Sequence, residues 1–181
     1  MLDNIAAAIK AGHTTCIMGP SGIGKTTFLN IMMGLAKADS GEVLNIPEKK
    51  SAVFQENRLC EDFSVMTNIK MVNDSLTEDL ILSHLEKVGL RENARQKVSS
   101  LSGGMKRRTA LVRAVLAQKD IIFLDEPFKG LDEDTAKKAA LYLAENTKNI
   151  TVIAVTHQKQ DAVMLNADIL YFEDGKVYYK Q

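Results

Sequence analysis

Long apolar runs are missing from this sequence. No stretch approaches the roughly 18 consecutive apolar residues of a membrane span, so no membrane-crossing helix is expected. Surplus charge is missing too, with 23 Lys and Arg against 23 Asp and Glu. Neutralising a nucleic-acid backbone draws on a basic excess, and nucleic acid is therefore not an expected partner. Cysteine is scarce: Cys16 and Cys60 stand alone, with no Cys or His nearby to complete a metal-ligand spacing. That excludes a disulfide framework or a zinc site and leaves one thiol in a buried strand and one in a loop. A basic leader is also absent. Met1-Leu2-Asp3-Asn4 carries an acid where a secretory signal is positive, and residues 5–9 are too short for its apolar core, so a cytoplasmic location is expected. What remains is an ordinary globular composition, 181 residues with 45% hydrophobic and 25% charged, the size of one domain with a real core. It contains no repeats or low-complexity segment.

Strand and helix signals alternate along most of the chain. Residues 14–18 are a β-branched and apolar run stopping at Gly19-Pro20, the pattern of a short buried strand. A helix is expected over residues 26–36, where Phe28, Leu29, Met32 and Met33 form one apolar stripe. Residues 42–46 and 51–54 read as two strands around a turn at Pro47. Residues 66–98 switch to a helical pattern, with Ile81, Leu85 and Val88 on one face and Gly89 placed to end it. Another helix should run from Gly104 or Met105 to Ala117. Ile121-Ile122-Phe123-Leu124 and residues 151–155 are continuous apolar runs of the kind buried on both faces of a parallel sheet, and Ala136, Ala139, Ala140, Leu143 and Ala144 between them keep helical spacing. Residues 169–172 and 176–179 flank Asp174-Gly175 as a hairpin. The pattern predicts an α/β fold with a mainly parallel sheet and an inserted helical subdomain.

Two motifs carry phosphate chemistry. Gly19-Pro20-Ser21-Gly22-Ile23-Gly24-Lys25-Thr26 fits G-x-x-x-x-G-K-[ST] between an expected strand and an expected helix. Glycines let backbone N–H groups turn inward around phosphates, at the positive end of the helix dipole. Lys25 is placed to reach the β- and γ-phosphates and the Thr26 hydroxyl to hold Mg²⁺. Asp125-Glu126 puts two carboxylates at the carboxyl end of a buried strand, where α/β sheets bind ligands. Asp125 suits Mg²⁺ and its waters; Glu126 suits a general base that polarises the attacking water. Leu101-Ser102-Gly103-Gly104-Met105 is a second glycine-rich loop opening a helix, useful to a chain that handles two phosphate groups or two faces of one nucleotide. Lys106-Arg107-Arg108 with Arg113 reads as a solvated basic face.

The Leu101 to Met105 segment resembles the LSGGQ signature of ABC-type ATPases, with Met105 in the last place. The family's other marks follow in order: Gln55 after Val53-Phe54 resembles the Q-loop, Gly130-Leu131-Asp132 the D-loop, and His157 closing Val155-Thr156-His157 the switch histidine. The resemblance runs from about Leu2 to Lys176 and is nearest to ATP-binding subunits of importers for nitrate, sulfonates and taurine. It implies a P-loop NTPase fold with a RecA-like, mainly parallel core (residues 1–61 and about 99–181). A helical subdomain of about residues 62–98, extended by the signature helix to about 117, and a small antiparallel element would complete it.

The resemblance further implies ATP and Mg²⁺ as cofactors and a head-to-tail homodimer or heterodimer. Each ATP would lie between Gly19 to Thr27 (Thr26 and Thr27 included) of one subunit and Ser102, Gly103 and Gly104 of the other. Lys25, Glu126, Gln55 and His157 would be catalytic, Gln55 touching Mg²⁺ and the attacking water, His157 hydrogen-bonding the γ-phosphate and orienting Glu126. Asp132 would link the two sites. The implied partners are a membrane permease, received at residues 56–65 with Leu59 and Phe63, and an extracytoplasmic solute-binding protein. The protein would then sit peripherally on the inner face of the membrane. Met105 leaves the backbone donors of its loop intact, so hydrolysis is expected. The family stacks adenine on an aromatic residue well upstream of the phosphate loop. Here 18 residues precede Gly19 and the first aromatic is Phe28. The expectation is base-indifferent binding, weaker by about 5- to 150-fold. Two alternatives are a soluble ABC-type regulator with no permease and a small P-loop kinase, which needs an acceptor site and basic lid residues instead of a second glycine-rich loop.

Overall fold

The computed structural model describes residues 5–173 and 175–180. Six strands, β1 Thr14–Met18, β2 Lys50–Val53, β3 Ile121–Asp125, β4 Thr151–Val155, β5 Asp168–Glu173 and β6 Lys176–Lys180, form one sheet in the order β2-β3-β4-β1-β5-β6. Every neighbouring pair is parallel except β5 with β6, the small antiparallel element. The helices are α1 Lys25–Met33, α2 Val65–Lys70, α3 Glu78–Lys87, α4 Gly103–Leu116, α5 Glu133–Asn146 and α6 Lys159–Met164. None of the described helices is long and apolar enough to cross a membrane.

The continuous apolar strands serve two cores, because successive side chains of a strand point to opposite faces. Ile17, Ile121, Phe123, Ile153 and Val155 pack with Leu29 and Met32 of α1 on one face. Cys16, Ile122, Leu124, Val152 and Ala154 face the other way, into a larger core with residues of α2 to α6. Cys16 is buried in β1 and Cys60 is exposed in a loop, with no disulfide between them.

The sheet positions the site by its register. Val53 pairs with Leu124, Asp125 with Val155, and Ile17 with Val155, so β2, β3, β4 and β1 end at one level. The segments after β2, β1 and β4, which begin the Gln55, Gly19 and His157 motifs, therefore emerge beside Asp125 at the carboxyl edge of the sheet, where open α/β sheets bind ligands.

Several expectations change. Residues 42–46 form no strand: Gly41 and Asn45 have φ of +83° and +58°, which interrupts extended backbone, and Val43 and Leu44 are exposed. The helix expected over residues 26–36 stops at Met33, because Gly34 adopts the left-handed C-cap conformation (φ +79°) and bonds back to Asn30 and Ile31. The helical pattern of residues 66–98 is two helices and two 3₁₀ turns. Ser64 and Thr77 each accept a backbone N–H at a helix start, dividing the segment. The short helix α6 carries no long apolar stripe and was not expected. The Asp174 turn of the hairpin lies outside the described residues.

Candidate functional site

The phosphate loop owes its shape to two glycines. At Gly19 a Cβ would overlap the carbonyl oxygen of Phe172 and lie 3.1 Å from the Phe172 Cβ. Gly24, at φ +105°, turns the chain into α1 without any side-chain cap. By contrast α2, α3, α4 and α5 are all capped by a Ser, Thr or Asp oxygen. The first N–H groups of α1 thus keep their donors directed out of the helix at its positive end, which suits an anion. Lys25 is buried and its Nζ donates to the carbonyls of Gly19 (2.8 Å) and Pro20 (2.7 Å), inside the curve of the loop. Burial lowers its pKa, opposed by the charges of Glu126 and Asp125.

Thr26, Gln55, Asp125, Glu126 and His157 line one cleft, together with Lys129 and Asp161. Thr26 and Asp125 are neighbours in the cleft. Burial raises the Asp125 pKa, opposed by the Thr26 hydroxyl and by Arg107, His157 and Lys129. Glu126 has φ +51°, unusual for a long side chain, and its N–H donates to Val155 O at 2.9 Å. Its Oε1 lies 3.1 Å from Nε2 of His157. Burial raises the Glu126 pKa, His157 opposes the rise, and Asp125 and Asp161 reinforce it. A neighbouring hydroxyl, carboxylate and amide oxygen form an all-oxygen donor set, which fits Mg²⁺ shared with substrate phosphates.

Residues 2–129 match the ABC transporter family. The chain belongs to that family. It is 33% identical over 201 residues to the intermembrane phospholipid transport system ATP-binding protein MlaF of Escherichia coli, across 98% of this chain and 75% of the relative. It is also 33% identical over 183 residues to the aliphatic sulfonates import ATP-binding protein SsuB 1 of Streptomyces avermitilis, across 99% of this chain and 70% of that one. Among solved structures it resembles a dimeric post-hydrolysis ATP-binding cassette bound to ADP and Pi, with TM-score 0.85 and 30% identity over 99% of this chain and 90% of the other. The protein is an ABC transporter ATP-binding subunit and an ATPase with the P-loop NTPase fold.

Ser102, Gly103, Gly104 and Asp132 of this ABC subunit do not line the cleft, whereas Gly130 does. Ser102 is exposed at the start of α4 and its Oγ accepts the Met105 N–H at 3.3 Å. Gly103 is open, whereas a Cβ on Gly104 would come within 3.3 Å of Leu131, so the signature loop lies against the Gly130-Leu131-Asp132 turn of its own chain. The Asp132 carboxylate caps α5, accepting from Thr135 N (3.0 Å) and Thr135 Oγ1 (2.7 Å). Those bonds hold its pKa low.

The basic run is the main correction. It is not a solvated face. Arg107 is 2% exposed and donates to backbone carbonyls on both sides of the site, Arg108 Nη1 donates to Val88 O at 2.6 Å, and Arg113 to Arg58 O (2.8 Å) and Asn57 O (3.1 Å). Lys106 pairs with Glu61 at 2.6 Å. Lys129 and Asp161 were missed by sequence reasoning as cleft residues. Lys129 could have been found from its place three residues after Glu126; nothing local marks Asp161, which enters because α6 folds back beside His157.

Proposed function

We propose that this ABC subunit hydrolyses ATP with Glu126 as the base that polarises the attacking water, in one ATPase domain whose helical subdomain spans about residues 62–98 together with α4. What carries the reading is the Glu126 carboxylate, 3.1 Å from His157 and sharing a cleft with Thr26, Asp125 and Gln55. Gly19 to Thr27 hold the phosphates, and Lys25 exchanges its loop carbonyls for them. Thr26, Asp125 and Gln55 hold Mg²⁺, which when bound neutralises charge on the phosphoryl group being transferred. Catalysis is then mostly positioning and electrostatic stabilisation. His157 orients Glu126.

Ser102, Gly103 and Gly104 do not line their own cleft, which suits a head-to-tail homodimer or heterodimer in which they close the partner's nucleotide site, with Asp132 between the two. The solved relative bound to ADP and Pi is a dimer. We further propose that the subunit powers import, as the aliphatic sulfonates relative does, on a membrane permease at the inner face of the membrane and with an extracytoplasmic solute-binding protein. Residues 56–65, with Phe63 48% exposed, offer the permease contact.

Glu126→Gln should keep nucleotide binding and slow steady-state hydrolysis by about 10²- to 10⁴-fold, the usual share of general base catalysis. Turnover of that variant at the wild-type rate would remove the assignment.

A further inference from the structure

Arg107 uses its whole guanidinium. Nε donates to Pro127 O at 3.1 Å, Nη1 to Phe54 O and to Asn57 Oδ1 (3.2 Å), and Nη2 to Asp125 O and Glu126 O. Five N–H donors meet five acceptors in a side chain that is 2% exposed. The acceptors fall into two groups that bracket two residues of the cleft. Phe54 and Asn57 flank Gln55; Asp125 and Pro127 flank Glu126.

The Glu126 backbone needs such support. A non-glycine residue at φ +51° persists only where its surroundings over-determine it. Here the peptide is fixed by the N–H to Val155 O at 2.9 Å, by Lys129 N to Glu126 O at 3.1 Å and by Arg107 on the same carbonyl. Gln55 is exposed in a segment without regular secondary structure, so its setting also depends on this side chain. Arg113 on Asn57 O and Arg58 O, and the Arg58 guanidinium 3.6 Å over the Phe54 ring, strap the same segment further along.

We propose that Arg107 is a positioning residue for ATP hydrolysis: it sets the Glu126 carboxylate through the backbone of residues 125–127 and ties that setting to the segment carrying Gln55. The inference rests on the reading of Glu126 as the base. Lysine keeps the charge but presents its donors from a single point, and glutamine keeps two donors, so neither spans both groups of carbonyls. Burial lowers the Arg107 pKa to about 10, opposed by Asp125 and Glu126, and leaves it charged at neutral pH.

The test is a double-mutant cycle of R107K with E126Q, repeated with R107Q, reading single-turnover and steady-state hydrolysis, nucleotide affinity by a fluorescent ATP analogue, and melting temperature. Rates are normalised to the fraction of protein that binds the analogue. In the Glu126 background R107K should lower kcat by about 10- to 100-fold, as misplacing a catalytic group does, with affinity within about twofold. In the E126Q background the same change should cost less than about twofold, since the group it positions is gone. Wild-type turnover of R107K and R107Q, an equal loss in both backgrounds, or a parallel loss of affinity and turnover would each overturn the inference. Wild-type turnover of E126Q alone would instead sink the reading of Glu126 as the base.

Discussion

Replacing Gly19 by alanine tests how the phosphate loop is held against the sheet. Two effects add at this position. At φ +146° the backbone is in a region that is nearly glycine-only, costing an alanine about 1 to 3 kcal/mol. The new Cβ also overlaps the Phe172 carbonyl of β5, a hydrogen-bonded strand that cannot swing aside like a flexible side chain. Overpacking of that kind costs about 1 to 3 kcal/mol more. The sum is about 2 to 6 kcal/mol, which for a chain of this size lowers the melting temperature by roughly 4 to 24 °C. Gly22 supplies the control. It has φ +78° but no atom within 4 Å of its Cβ position. Gly22→Ala should therefore cost only the backbone part, about 1 to 2 kcal/mol. Urea and thermal unfolding of the two variants without nucleotide measure the difference directly. If Gly19→Ala melts within about 2 °C of Gly22→Ala, the close approach to β5 does not constrain the loop and the reasoning fails.

Two further outcomes follow from a half-buried histidine and a buried aspartate. His84 lies against Tyr142, with Nδ1 2.8 Å from the buried hydroxyl, and burial, Lys87 and Lys119 depress its pKa. The unfolded chain therefore takes up the proton first. Stability should fall as pH drops below the ordinary histidine value and level off beneath the folded pKa. Urea unfolding between pH 7.5 and 5 should show less of that slope in His84→Gln; an unchanged slope would acquit His84. Asp161 accepts from Thr156 Oγ1 in a buried pair, and burial raises its pKa. Its folded pKa exceeds the unfolded value, so its ionised form weakens the fold at neutral pH and that cost disappears as pH falls through the folded pKa. Asp161→Asn keeps an acceptor for Thr156 and should melt higher at pH 7, with the gain shrinking on acidification. A lower melting temperature at pH 7 would contradict the assignment.

Much of this protein was legible along the chain because local signals and global fold agree. The runs at residues 14–18, 121–124 and 151–155 are apolar on both sides of the period and can be covered only between two layers, which is where β1, β3 and β4 lie. The phosphate-loop glycines, the acids closing β3 and the histidine after β4 declare their chemistry by residue type and place. Where the sequence misled, the deciding partner was distant or a single backbone angle intervened. Residues 42–46 read as a strand by their apolar content, yet the positive φ at Gly41 and Asn45 leaves no extended run there.

Chain order alone determined which residues can handle phosphate, and the α/β layering that carries them. It did not determine that Gln55, Asp125, His157 and Thr26 meet. That follows from the sheet order β2-β3-β4-β1, a matter of which strands hydrogen-bond, which levels four distant segments at one edge. Nor did it determine the fate of Arg107, since a basic run on a helix looks the same in sequence whether its charges meet water or backbone carbonyls. The tertiary structure buried that one arginine between two loops, where its five donors find five acceptors that no local pattern announces.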